Sequence, residues 1–279
     1  MNVLLLSPHP DDIAWSLGGT VARLADAGAS LSVLTVFGRT TYAPGSPAHG
    51  TSAAGPVRAV EDATWAAFAD ARLFGADLPD ASLRGYDDDT EMGAPPEPDI
   101  VSDTAETLAS VLRAVRPDLL LVPLAVGGHV DHRAARSAAE RVVADEAPGR
   151  ALIYYEDLPY AAGVHRPHTG HPVLVDVAGC HARREAGARC YPSQEPHLIL
   201  PVIAAHTSAA GGERLWAATA AAAQGLALFL AGAQVDQNAP AGRNALPDHA
   251  PAGRNALPDH APAGRNTDAP LPRMEFQPW

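Results

Sequence analysis

Two runs of this 279-residue chain set histidines beside carboxylates, His9-Pro10-Asp11-Asp12 and His129-Val130-Asp131-His132. An imidazole serves as a metal ligand or a proton carrier, and a carboxylate as a ligand or a base. His9, Asp12 and His132 together would offer one metal two imidazoles and a carboxylate. Three protein ligands with water in the fourth position is the pattern of catalytic zinc; a structural site closes with a fourth ligand, usually Cys. Such a site suits amide hydrolysis, which needs an activated water, a stabilised oxyanion and a proton for the departing amine. Asp11, beside a ligand, is the candidate general base. His129, three residues from a ligand, is placed to face the oxyanion or to protonate the amine. Asp131 is placed to hydrogen-bond an imidazole and fix its orientation. Each run also has a plainer explanation, the first as a polar turn with an Asp near a helix N-terminus, the second as a helix cap. Capping accounts for one run but not for both.

The elements around the two runs make their meeting plausible. Asn2-Val3-Leu4-Leu5-Leu6 reads as a fully buried strand, and a helical pattern follows the first run until Gly28. Asp118-Leu119-Leu120-Leu121-Val122-Pro123-Leu124 reads as a second buried strand, and residues 133–145 as the helix after it. Ligands of open α/β sheets bind beyond the carboxyl ends of the strands, so both turns share one edge if these strands are parallel. Further strands are expected at 30–37, 73–77, 151–158 and 171–177. Helices are expected from Pro56, with Val57, Val60, Trp65 and Phe68 as its apolar stripe, and at 100–115, 179–190 and 213–231. Residues 39–55 and 79–99 read as long loops. The alternation implies an α/β fold: a doubly wound, mostly parallel sheet with helices on both faces, Rossmann-like and in a single domain. Gly18-Gly19 lacks a dinucleotide fingerprint, and no nucleophile-elbow motif or reactive-Cys setting occurs.

With these residues in view, the chain resembles the PIG-L/LmbE-like zinc-dependent N-deacetylases, which act on N-acetylglucosaminyl and related amino-sugar conjugates. The resemblance rests on Pro8-His9-Pro10-Asp11-Asp12, Gly18-Gly19 and His129-Val130-Asp131-His132, with weaker matches at residues 58–62, 182–186 and 191–194. It implies one Zn2+ per chain on His9, Asp12 and His132, and catalytic roles for Asp11, His129 and Asp131. It also implies that Arg58, and Asp87 or Asp88 of the acidic run 87–89, contact the substrate, with a solvated loop the favoured alternative for any one of that run. Arg58 as a surface residue paired with Glu61 or Asp62 is an equal alternative. Many members carry Glu where this chain has Ile13 and Pro where it has Val130, and neither position is an expected ligand.

Composition bounds the remainder. A formal net charge of −12 argues against nucleic-acid and anionic-membrane partners. No signal peptide or membrane-length apolar run is evident, and Cys180 and Cys190, ten residues apart on one expected helix, are expected reduced. Both points suit a cytoplasmic protein. The absence of Lys beside abundant Ala, Arg, Pro and Gly points to a GC-rich bacterial genome. A deacetylase domain is expected over residues 1–234. From 235 a flexible tail is expected, because Ala239-Pro-Ala-Gly-Arg-Asn-Ala-Leu-Pro-Asp-His249 recurs at 250–260 and cannot build a core. His165 and His168 lie on a loop, where a place beside the expected pocket competes with the commoner one of surface histidines. The expected partner is a small N-acylated amino-sugar or related conjugate, and a homo-oligomer is compatible with the sequence. The competing functions are an amidase on a thiol–sugar or non-sugar natural-product amide, and a metal-binding module without catalysis. The retention of Asp11 beside a full ligand set speaks against the last.

Overall fold

A computed structural model describes residues 1–237 of the chain, except 88, 165–167 and 169. Seven strands form one sheet: β1 (Asn2–Ser7), β2 (Ser30–Thr35), β3 (Ala71–Gly75), β4 (Leu119–Pro123), β5 (Ala151–Tyr155), β6 (His171–Val175) and β7 (Glu213–Ala217). Their order is β3-β2-β1-β4-β5-β7-β6. The pairs from β3 to β5 are parallel, and β7 runs antiparallel between β5 and β6. The doubly wound, mostly parallel expectation holds. Among the described residues the helices are α1 (Asp12–Asp26), α2 (Ala54–Phe68), α3 (Pro98–Val115), α4 (Val130–Glu146), α5 (His181–Ala188), α6 (Pro196–Ala210) and α7 (Ala220–Gln237).

β1 shows why the sequence folds this way. Its side chains alternate between faces, so Val3 and Leu5 join one apolar layer with residues of α1, α2 and α7. Leu4 and Leu6 join the opposite layer with residues of α3 and α4. An apolar run without alternation is what a strand buried on both faces requires. Because β1 and β4 are parallel neighbours, with Val3, Leu4 and Leu5 in register with Leu119, Leu120 and Leu121, their carboxyl ends open side by side. The chain reverses direction of sheet growth here, and such a switch point leaves a crevice above the strands. Gly19 lets α1 sit close to the far half of the sheet. A Cβ at that position would stand 2.6 Å from Val177 side-chain atoms and 2.9 Å from a Glu213 oxygen.

Several expectations need correction. Residues 213–217 form β7, with buried and half-buried positions alternating, and only then does α7 begin. The Ala-rich stretch that follows makes the whole segment look helical in sequence. Helix α7 continues to Gln237, beyond the expected domain end at 234; the repeats themselves lie outside the described residues. Helix α6 is masked in the sequence by Pro196 at its first turn and Pro201 inside it. Helix α2 is rotated from expectation: Val60 is 68% and Phe68 49% exposed, while Arg58, Glu61 and Asp62 are buried with Trp65. Cys180 sits in a short 3₁₀ turn before α5 and Cys190 lies after that helix; both are free thiols. Among the described residues, no helix is long and apolar enough to cross a membrane.

Candidate metal centre

The first run leaves β1 in a turn tied by its own polar atoms. The Ser7 hydroxyl donates to the His9 carbonyl at 2.5 Å, and the His9 amide donates to Asp12 Oδ2 at 2.7 Å. Asp11 is the N-cap residue of α1, yet its carboxylate caps nothing. It accepts instead from Arg58 Nη2 at 2.7 Å, in a pair buried on both sides. The expected surface pairing of Arg58 with Glu61 or Asp62 is therefore corrected. Burial opposes the Arg58 charge, but Asp11 more than offsets this and its pKa is raised.

The second run follows β4 through Gly127 and Gly128, at φ of 87° and 86°, a backbone region that favours glycine. His129 then caps α4, its Nδ1 accepting from the Asp131 amide at 3.2 Å. Capping is thus part of the truth for this residue. Asp131 and His132 occupy the first turn of α4 with no exposed surface.

The two turns do meet. The rings of His9, His129 and His132 form a triangle with centroids 5.0, 5.2 and 5.2 Å apart. Asp12 Oδ2 stands 3.3 Å from His9 Nδ1 and 3.4 Å from His132 Nε2. Tetrahedral zinc ligands about 2.0–2.1 Å from the ion lie roughly 3.3–3.4 Å from one another, so these separations match a shared ion. His132 Nε2 is buried and makes no hydrogen bond. A buried lone pair without a donor is costly unless a cation meets it. The donor set therefore fits a metal. His9, His129 and Asp131 also cluster within ligand range. Their atoms are otherwise engaged, however: His129 Nδ1 by the Asp131 amide, Asp131 Oδ2 by His9 Nε2 and the Ala81 amide, and Asp131 Oδ1 by Arg84.

Each imidazole of the first set has a carboxylate behind it. His9 Nε2 pairs with Asp131 Oδ2 at 2.9 Å, and His132 Nδ1 with Asp157 Oδ1 at 2.7 Å. A carboxylate on the far nitrogen fixes the tautomer and aims the other nitrogen at the ion. Asp157 lies just past β5 and also accepts from the Val126 amide at 3.1 Å. Sequence reasoning missed it; its one signal there is a carboxylate two residues past a strand end on the same edge. Of the buried carboxylates here, Asp11 pairs with Arg58 and Asp131 with Arg84, while Asp12 and Asp157 meet imidazoles, an arrangement that suits a cation between the histidines and Asp12. The titration behaviour agrees. Burial pushes the Asp12 carboxyl up, but His132 and His9 outweigh it and hold it at about 2. Burial opposes protonation of His9 and His132, yet their carboxylate partners raise both. His129 goes the other way, lowered chiefly by burial and further by its two histidine neighbours.

Asp87 is not brought to this cluster. It is exposed, and its carboxylate accepts from the amide and hydroxyl of Thr90 at 2.8 and 2.7 Å. Glu91, which no sequence motif marks, instead places Oε2 3.4 Å from His129 Nε2. His168 packs against Trp216, at 5.1 Å between ring centroids. Asp88 and His165 lie outside the described residues. Ser193 serves structure, giving its amide and hydroxyl to Glu61 at 2.7 and 2.6 Å. Ile13 and Val130, the two departures from the family pattern, are wholly buried.

Comparison with known proteins gives concordant findings. The family model described as GlcNAc-PI de-N-acetylase (PIG-L) matches residues 4–143. Over 167 residues the chain is 40% identical to a 2'-N-acetylparomamine deacetylase of Streptomyces fradiae, covering 57% of this chain and 58% of that protein. The match thus spans little more than half of the relative's length. Among solved structures, a deacetylase of the A40926 pseudoaglycone shares 26% identity at a TM-score of 0.63, covering 77% of this chain and 95% of that one. A deacetylase of teicoplanin biosynthesis, at 24% identity, superposes with a TM-score of 0.66 over 78% of this chain and 97% of that one, a likeness of fold.

Proposed function

The chain belongs to the GlcNAc-PI de-N-acetylase (PIG-L) family, and on that premise we propose that it is a zinc-dependent hydrolase of N-acetylated amino-sugar conjugates. The substrate is a small molecule of the N-acetylglucosaminyl type, and the products are acetate and the free amine. The observation that carries this reading is the unpartnered, buried Nε2 of His132 converging with His9 Nδ1 on Asp12 Oδ2. A zinc held there by His9, Asp12 and His132 would supply Lewis acidity, acidifying water and polarising an amide carbonyl.

The chain's own residues divide the remaining work. Asp11, fixed by Arg58, takes a proton on its carboxylate from the attacking water and gives it to the departing amine as the C–N bond breaks. His129 has its Nδ1 lone pair occupied by the Asp131 amide, so the neutral ring carries its proton on Nε2. Burial favours that neutral form. His129 therefore acts as a hydrogen-bond donor to the oxyanion, with Glu91 holding its Nε2 edge between turnovers. Of the two expected roles for His129, facing the oxyanion or protonating the amine, the neutral ring suits the first. Asp131 and Asp157 orient the ligand imidazoles. Arg58, whose Nε and Nη1 are buried without partners, holds Asp11 from the side of α2 and is the expected neighbour of the sugar. The two free thiols suit a reducing, cytoplasmic setting.

The Streptomyces fradiae relative, named as a 2'-N-acetylparomamine deacetylase, supports an N-acetylated natural-product conjugate as the particular substrate. A panel of N-acetylglucosaminyl and N-acetylated aminoglycoside conjugates, read by free-amine release, tests the proposal. Amine release that disappears with a chelator and returns with zinc is the expected result. Hydrolysis of non-sugar amides alone would point to the alternative amidase, and no hydrolysis at full zinc occupancy to a binding module.

A further inference from the structure

We propose that Arg84 is a positioning residue for the metal ligand His9, acting through Asp131. This rests on the reading of His9 as a ligand given above. Arg84 lies on the long loop between β3 and α3, and its side chain is only 8% exposed. Nη2 stands 2.7 Å from Asp131 Oδ1. Nε donates to Glu97 Oε1 at 3.0 Å and Nη1 to the Pro79 carbonyl at 2.7 Å. Phe37 and Tyr86 rings lie 5.4 and 5.6 Å from the guanidinium carbon. A planar fork held on so many sides has little freedom to turn.

Asp131 is therefore engaged at both oxygens. Oδ1 accepts no hydrogen bond and is met by the Arg84 charge as an ion pair, Nη2 itself donating to Glu97 Oε2 at 3.4 Å, while Oδ2 meets the Ala81 amide at 3.0 Å and His9 Nε2 at 2.9 Å. His9 presents Nδ1 to the ion only while Nε2 is held, and Asp131 holds it only while its own carboxylate cannot rotate. Arg84 and the Ala81 amide both come from one loop, so that loop is part of the ligand's support. The same loop is tied to the second turn by the Val130 amide, which donates to the Glu91 carbonyl at 2.9 Å, and by the Gly93 amide, which donates to the Gly128 carbonyl at 2.9 Å. A Pro at position 130 has no N–H to make the first bond. The loop is thus latched to the metal centre at Ala81, Arg84, Glu91 and Gly93, and Arg84 is the side chain among these that meets the carboxylate behind His9.

The test is zinc affinity of purified Arg84→Met, Arg84→Lys and His9→Ala, measured by competition with a chromogenic chelator, with the melting temperature of each metal-free protein alongside. Removing a partner behind a ligand typically costs about 10–100-fold in metal affinity. Arg84→Met, one contact further from the ion, is expected to lose about 10-fold, the lower end of that range, Arg84→Lys to recover most of it, and His9→Ala to lose more than either. A residue that served the fold alone would lower the melting temperature of the metal-free protein and leave zinc affinity of the folded fraction unchanged. Zinc affinity of Arg84→Met within twofold of the unaltered protein, with His9→Ala weakened, overturns the inference and leaves the ligand reading standing. Unchanged affinity of His9→Ala overturns both. If Arg84→Met does not fold, Arg84→Gln replaces it, and equal affinities for the Gln and Lys variants overturn the inference.

Discussion

Two buried carboxylate clusters lie on either side of Arg58, and they are finished differently. On α2, Glu61 accepts the amide and hydroxyl of Ser193, while Asp62 accepts from the Thr35 hydroxyl at 2.7 Å and the Tyr191 hydroxyl at 3.1 Å. Every oxygen of that cluster has a donor. Across Arg58, Asp12 Oδ2 faces two histidine nitrogens, and one of them, Nε2 of His132, has no partner. The closed cluster ties α2 to the turn before α6. The open one is short of positive charge where its donors meet. In sequence both are acidic residues among polar ones; the difference is whether neighbours bring hydrogens or lone pairs. Substitutions in the open cluster should therefore cost metal and turnover, and those in the closed cluster stability.

The largest effect is expected at the open cluster's orphaned nitrogen. His132→Ala should bind no stoichiometric zinc after dialysis and show no measurable turnover, with the metal-free protein still folded. Elemental analysis showing one retained zinc would move the metal elsewhere. Next comes Asp11→Asn, which should keep its zinc and fold while kcat falls by about 10²–10⁴, since an amide accepts no proton from water. Turnover close to that of the unaltered protein would assign water activation to another group. A smaller loss is expected for Asp157→Asn, which weakens the hold on His132 Nδ1. Zinc affinity should drop about 10–100-fold and kcat at saturating zinc should change little. Equal affinity before and after substitution would show that burial alone orients His132.

The sequence revealed the open cluster better than the closed one. The expected ligands His9, Asp12 and His132 meet because two apolar runs without alternation become parallel neighbours, a non-local consequence of a local pattern. The fold was legible for the same reason. What failed was the orientation of α2. Its apolar residues Val57, Val60, Trp65 and Phe68 suggest a buried stripe, yet Val60 and Phe68 face outward because the inner face carries Arg58, Glu61 and Asp62. Periodicity ranks side chains by hydrophobicity and cannot see that Asp11, Ser193, Thr35 and Tyr191 wait to satisfy those charges. Asp157 and Arg84 escaped for a related reason: each matters through one partner more than 20 residues away. Asp87, suggested by a resemblance in loop sequence, lies away from the metal donors with its carboxylate engaged by Thr90 in its own turn.

The smallest expected effect lies at Asp62, and it separates the two clusters by pH. Burial raises the Asp62 carboxyl to about 6, despite the Thr35 and Tyr191 hydroxyls that lower it. A carboxyl whose folded pKa exceeds its unfolded value of about 3.9 favours folding when protonated. That contribution is full below about pH 4 and is lost as pH rises through about 6. Holding the carboxyl at about 6 rather than about 4 corresponds to roughly 2–3 kcal/mol, an upper figure for a partly relaxed site. Asp62→Asn cannot ionise, and its amide can be satisfied because each hydroxyl both donates and accepts. The stability difference between the variant and the unaltered protein should therefore move in the variant's favour by that order between about pH 4.5 and about pH 7.5, read from denaturant midpoints. Its kcat should change less than about fivefold, since no lone pair of this cluster meets the metal donors. Parallel stability profiles for the two proteins would mean that Asp62 stays ionised throughout. A fall in kcat as large as that of Asp11→Asn would mean that the clusters are one machine, joined through Arg58, and that the contrast drawn between them is wrong.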